Sequence, residues 1–192
     1  MYDIAWLNRA LSDLTGVKKE TFDSISGNLR QAGMVSAGSR GLNALPASPE
    51  DVKNIILGLL GSDNASRAAR VVKKLSDLKS PETGRTAGEA IVDLLTNPDA
   101  LKGLGSIRVT RNYPMVEIYW ACEEEPVGCE EIPSVQREEI FKGTTPVPSL
   151  QIKAILSGSV LETIVIINRW IADQGENSNY IRQSLTLHNR AS

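Results

Sequence analysis

Two cysteines, Cys122 and Cys129, and one histidine, His188, are all that a chain of 192 residues offers toward disulfides, zinc sites and histidine-based catalysis. Two cysteines build no disulfide framework, so a reducing, cytoplasmic setting is the expectation. Six residues lie between them and no histidine stands beside them, which does not fit zinc-ligand spacing. Their glutamate-rich surroundings disfavour a reactive thiolate. His188 falls in a polar tail, which removes a serine or cysteine triad. No glycine-rich phosphate loop is present: Gly58, Gly61, Gly103 and Gly105 are not followed by the lysine and hydroxyl such a loop needs. No apolar run approaches the ~18 residues of a membrane-spanning helix. Met1 to Ala10 has no apolar signal core, so export is not expected. The expectation is therefore a non-enzyme with no catalytic residues, no cofactor, no metal and no membrane association. The Glu123–Glu125 and Glu130–Glu131 clusters read as a solvated acidic loop rather than a metal site.

What remains is ordinary for a globular chain: 41% hydrophobic, 23% charged and a net charge of −2. The charge is unevenly placed. Residues 1–111 hold 15 basic and 12 acidic side chains, and residues 112–192 hold 6 basic and 11 acidic. The stretch Glu117 to Glu139 has eight glutamates and one arginine. A protein that binds DNA with one end and a partner with the other has this distribution, and so does an uneven scatter of charge.

The hydrophobic pattern divides the chain near Pro98 to Ser106. Ile4, Leu7, Leu11 and Leu14 repeat at helical spacing, then Thr15-Gly16 breaks the helix. A second helix is predicted from Lys18 to Ala32 with Phe22, Ile25 and Leu29 on one face and Gly33 ending it. Met34 to Ala47 reads as a turn or short hairpin. Ser48-Pro49-Glu50-Asp51 opens a third helix whose stripe is Val52, Ile55, Ile56, Leu59 and Leu60. A fourth is predicted from Asp63 to Leu78, with Arg67, Arg70, Lys73 and Lys74 on its outer side. Thr86 to Glu89 forms a capping box for a fifth, which Asn97-Pro98 closes. Alternation then marks strands at Ile107–Arg111, Met115–Cys122, Gln136–Lys142 and Leu150–Leu156, and a buried helix from Ser159 to Ile171. Trp6, Trp120 and Trp170 lie within apolar patterns and are expected in the core. The fold class predicted is α+β: a helical N-terminal part, then a small antiparallel sheet with a helix. Its parts would be residues 1–60, a helical extension 61–100, a sheet-plus-helix part 101–173 and a polar tail 174–192.

Residues Asn8 to Gly27 match a helix-turn-helix. Two helices that cross steeply need a glycine at positive φ in the turn, and Gly16 stands there. Leu11 lies five residues before it, Ser12 is small where the helices approach, Val17 fills the gap, and Phe22 and Ile25 anchor inward. Thr15, where an apolar residue is usual, is the one departure, though a threonine can cap the turn. The outer side of the second helix would present Lys18, Lys19, Thr21, Ser24 and Asn28, residue types that bond phosphates and base edges, with Asp23 dissenting. Leu29 to Val35 and then Ser39-Arg40-Gly41 resemble the recognition-helix exit and glycine-rich wing of winged helix-turn-helix proteins. The wider arrangement resembles small transcriptional regulators encoded by phages and prophages. That resemblance, over roughly residues 3–60, implies sequence-specific binding of double-stranded DNA through Lys18, Lys19, Thr21, Ser24, Asn28, Arg30 and Arg40.

A homodimer is implied as well, because one small helix reads too few base pairs. Trp120, Ile155, Ile164 and Trp170 supply more apolar surface than a small sheet needs, which places the dimer contact after residue 100. The same residues admit other readings. Two packed helices with a glycine turn occur in many helical domains. A DNA-packaging recognition subunit also sets a helix-turn-helix ahead of an oligomerising part. A phage inhibitor would bind a host protein through the acidic segment 117–139 in place of a phosphate backbone.

Overall fold

The computed structural model describes residues 3–36, 47–121, 135–143 and 153–173. Among them are seven α-helices and a four-stranded antiparallel sheet, helices first and sheet after, as the hydrophobic pattern predicts.

The N-terminal helices begin and end where local chemistry dictates. Helix α1 runs Ile4–Thr15, capped by the Asp3 carboxylate, which accepts the Trp6 N–H at 2.9 Å. Helix α2 runs Lys19–Gln31 and ends in a Schellman turn: Gly33, at φ 71°, donates to the Arg30 carbonyl and Met34 donates to that of Leu29. Helix α3, Pro49–Gly61, opens with a reciprocal capping box between Ser48 and Asp51. Its predicted single stripe is too narrow. The helix is buried nearly all round, Leu57 completely and Leu59 only in part. It lies at the centre, with α2, α4, α5, β1 and β4 all packed on it. Gly58 makes this possible on one side, because a Cβ there would stand 2.9 Å from the Ile25 methyl of α2.

The predicted fourth helix, Asp63 to Leu78, is shorter than its pattern. A 3₁₀ turn, Ala65–Arg67, precedes α4, Ala68–Ser76. The Asn64 side chain accepts the Ser66 N–H at 3.0 Å and tightens the start. At the far end the Leu78 carbonyl accepts the Ala87 N–H, which draws the chain out of the helix. Helix α5, Ala87–Thr96, has the expected capping box between Thr86 and Glu89. Asn97-Pro98 does not simply stop the chain. Asn97 caps a further short helix, α6, Pro98–Leu101, with proline in its first turn, where the missing N–H costs nothing.

The sheet is formed by β1 (Leu104–Thr110), β2 (Met115–Ala121), β3 (Val135–Lys142) and β4 (Lys153–Ser157), in the order β3-β2-β1-β4. The register pairs Val109 with Val116, and Val116 with Phe141. Ile107, Val109, Val116, Ile118, Phe141 and Leu156 thus share the face that is buried. Helix α7, Gly158–Asp173, returns over β1 and β4 with Leu161, Ile164 and Val165 inward. Its β-branched run is helical, and the helix begins at Gly158, one residue ahead of the predicted start at Ser159. One apolar core joins Leu11, Phe22 and Leu29 to Ile107, Ile118, Phe141 and Leu161, so helices and sheet are not separately packed.

Two expectations about large apolar residues change. Trp6 is half-buried rather than core, whereas Trp120 is buried with its indole N–H on the Ala100 carbonyl at 3.0 Å. Trp120 and Ile164 are taken up by the chain's own core, and Ile155 is the exposed one, at 60%. Two of the four residues inferred for a dimer contact, Trp120 and Ile164, are therefore used internally. The Trp170 side chain lies outside the described residues, as do Cys122, Cys129, the Glu123–Glu131 loop and the tail with His188.

Candidate nucleic-acid interface

The turn between α1 and α2 is made by a left-handed glycine. Gly16 has φ 69° and its N–H closes α1 on the Ser12 carbonyl at 2.9 Å. Thr15, the departure from the usual apolar residue, is used twice: its hydroxyl donates to the Leu11 carbonyl at 2.6 Å and accepts the Val17 N–H at 3.3 Å. Val17 is half-buried against the core, and Leu11, Phe22 and Ile25 are buried as anchors. Sequence reasoning missed the polar tie beside them. Asn8 is buried in α1 and its amide donates to Ser26 Oγ at 2.8 Å and Asp23 Oδ1 at 2.9 Å. An asparagine at a helix position expected to be apolar was the available signal.

The outer side of α2 is not one uniform surface. Thr21, Ser24 and Asn28 follow at i, i+3 and i+7 and form one shoulder. Lys19, Asp23 and Arg30 form the opposite shoulder, and Glu20 and Gln31 lie between, exposed. Thr21 and Ser24 are exposed, while Asn28 is half-buried and its amide donates to the Ser24 carbonyl at 2.8 Å. Lys18 is exposed just ahead of the helix, at its N-cap. Arg30 is exposed, with a long bond from Nε to the Ser36 carbonyl at 3.4 Å. Lys19 is engaged with the Asp23 carboxylate one turn on. Burial of Asp23 works to raise its pKa, but the hydrogen bonds from Lys19 and Asn8 prevail and hold it below the usual carboxylate range. The structure thus brings Thr21, Ser24 and Asn28 together and separates them from Lys19 and Arg30. Arg40 lies outside the described residues.

Several charges elsewhere are paired inside the fold. Asp51 is heavily bonded. It accepts the Ser36 N–H (2.8 Å), the Ser36 hydroxyl (2.9 Å), the Ser48 N–H (2.9 Å) and the Ser48 hydroxyl (2.9 Å). Burial opposes its ionisation, and those hydrogen bonds outweigh burial and lower its pKa. Arg85 spans helices and sheet. It grips Glu139 of β3 through Nε at 2.8 Å and through Nη2, and reaches Asp93 at 3.4 Å. Thr83 adds a hydroxyl to Glu139 at 2.9 Å. Lys153 holds Glu117 at 2.7 Å, and Arg108 stacks over the Tyr119 ring at 3.9 Å. Burial first, then Glu138 and Glu117, keep the Tyr119 phenol protonated well above its ordinary range. Glu117 and Glu139 are therefore internal counter-charges. They do not belong to an acidic surface, which the sequence alone could not separate from their neighbours.

No helix among the described residues is long and apolar enough to cross a membrane. Compared with known proteins, the chain matches no family model, no curated protein and no solved structure.

Proposed function

We propose that this protein binds double-stranded DNA in a sequence-specific manner, as a transcriptional regulator of the phage type. The observation that carries the reading is the α1–α2 unit. Its turn glycine is left-handed, its inner residues are buried, and Thr21 and Ser24 stand exposed on one shoulder of α2, their hydroxyls bonded to nothing among the described residues. Thr21, Ser24 and Asn28 face the base edges, and Lys18 and Arg30 meet phosphates on either side. Two copies bind two half-sites, since a helix of this length contacts only a few base pairs. With the bulky residues of the sheet taken into the core, the contact between copies rests on surface other than Trp120 and Ile164.

The test is a titration of the full chain against duplex DNA from immediately upstream of its own gene and against random duplex, at two salt concentrations. Tighter binding to the upstream duplex is expected, with Ser24→Ala and Thr21→Ala reducing that preference by ~1–3 kcal/mol for a good base contact. Equal affinity for both duplexes in wild type and variants would overturn sequence specificity.

A further inference from the structure

Helix α2 has no net charge: Lys19 and Arg30 are matched by Glu20 and Asp23, and Lys19 is already engaged with Asp23. Much of the affinity for a duplex comes from neutralising phosphates, of which a helix with no net charge supplies few. The cations stand on the neighbouring element. The 3₁₀ turn Ala65–Arg67 and helix α4 both pack against α2. Their outer side carries Arg67, Arg70, Lys73 and Lys74, all exposed. None of the four meets a carboxylate among the described residues, whereas Lys53, Arg85, Arg111 and Lys153 each do.

The arrangement does not serve the helix. Arg67–Arg70, Arg70–Lys73 and Arg70–Lys74 are like-charge neighbours at i, i+3 and i, i+4, which repel. Arg67 also sits at the N-cap of α4, the end where the helix dipole disfavours a cation. Lys73 and Lys74 in the last turn suit the dipole, but Arg67 and Arg70 have no such reason. An anion laid along this side would relieve both penalties. From Arg67 to Lys74 the helix rises about 10 Å, the length of three steps of a duplex strand.

We infer that the α4 face, Arg67, Arg70, Lys73 and Lys74, is the main phosphate-contacting surface of the protein, gripping the backbone of the duplex that α2 reads. The inference deepens the proposed DNA-binding function and rests on it.

The experiment measures affinity of the full chain for a random-sequence duplex across a salt series. Wild type is compared with a variant in which all four residues are alanine and with Lys18→Ala/Arg30→Ala. Alanine favours helix, and a thermal melt checks that the fold is kept. The α4 variant is expected to lose at least about tenfold in affinity at moderate salt. Its plot of log affinity against log salt should flatten by three to four units, against about two for the α2 variant. The conservative Arg67→Lys/Arg70→Lys should keep the slope. If the fourfold variant unfolds, Arg70→Gln/Lys74→Gln is read instead, with about two units expected. An unchanged slope in a folded α4 variant, while wild type binds, overturns the inference and leaves the DNA reading standing. No duplex binding by wild type overturns both. Binding of poly-glutamate without duplex binding overturns both as well, and assigns the face to an acidic protein.

Discussion

The helical part and the sheet place their charged side chains differently. Around the sheet, charges are engaged: Arg85 with Glu139, Lys153 with Glu117, and Arg108 over the neutral Tyr119 ring. On α2, α4 and the residues that cap them, Lys18, Arg30, Arg67, Arg70, Lys73 and Lys74 face solvent, and among the described residues Arg30 alone of these has a side-chain bond, a long one to the Ser36 carbonyl. The first set links distant segments and its loss damages the fold. The second set contributes nothing visible to the fold, and its loss should affect only what the protein binds. A charge that does not stabilise the chain that carries it is a better pointer to function than a charge count, and the net of −2 conceals both sets.

The largest effect expected on the fold side is at Arg85. Glu139 is 3% exposed, so Arg85→Met leaves a buried carboxylate without its partner and should cost about 3–5 kcal/mol in urea unfolding. The double change Arg85→Met/Glu139→Leu should recover most of that loss, because it removes the uncompensated charge. A single variant as stable as wild type would remove the distinction drawn between the two regions.

Asp51 comes next. Asp51→Ala removes the acceptor for both Ser36 and Ser48 and should lower stability by about 2–3 kcal/mol. Its folded pKa is depressed, so its contribution is complete above the unfolded value of ~3.9 and is lost as pH falls through the folded value. Asp51→Asn should therefore flatten the acid limb of a stability-versus-pH curve below about pH 4. An acid limb identical to that of wild type would show that this carboxylate does not contribute to acid sensitivity.

Gly16 ranks third. A Cβ there meets nothing within 4 Å, so any penalty is purely backbone. Gly16→Val should lower stability by ~1–2 kcal/mol and Gly16→Asn by clearly less, since asparagine tolerates positive φ. Equal melting temperatures for the valine and asparagine variants would argue against strain at the turn. The smallest effect on stability belongs to Lys18→Ala, expected within about 0.5 kcal/mol of wild type because nothing in the fold depends on its ammonium.

Much of this was readable from the residues, for local reasons. Ser48 and Thr86 announce their helices because a cap and its acid lie three residues apart, and the alternation of Ile107, Val109, Val116 and Ile118 repeats the pleat. Gly16 marks its turn because few other residues tolerate that φ. What the sequence did not disclose depends on contacts between distant segments. Nothing near Arg85 points to Glu139, and the burial of α3 on all sides follows from the packing of α2, α4 and α5 around it. The engagement of Lys19 with Asp23 was within reach, being an i, i+4 pair on one helix. So was the neutrality of α2, which helix-turn-helix spacing diverts attention from. The wing expected around Arg40 lies outside the described residues.

The central claim is that the exposed cations of the helical part bind a duplex while the paired charges around the sheet hold the fold. The most direct measurement is the salt dependence of duplex affinity for wild type and Lys18→Ala, with melting temperature recorded for both. The account predicts a linear fall of log affinity with log salt in wild type. In Lys18→Ala the slope should flatten by about one unit at an unchanged melting temperature. Duplex affinity that is absent, or that does not respond to salt in either protein, would contradict it.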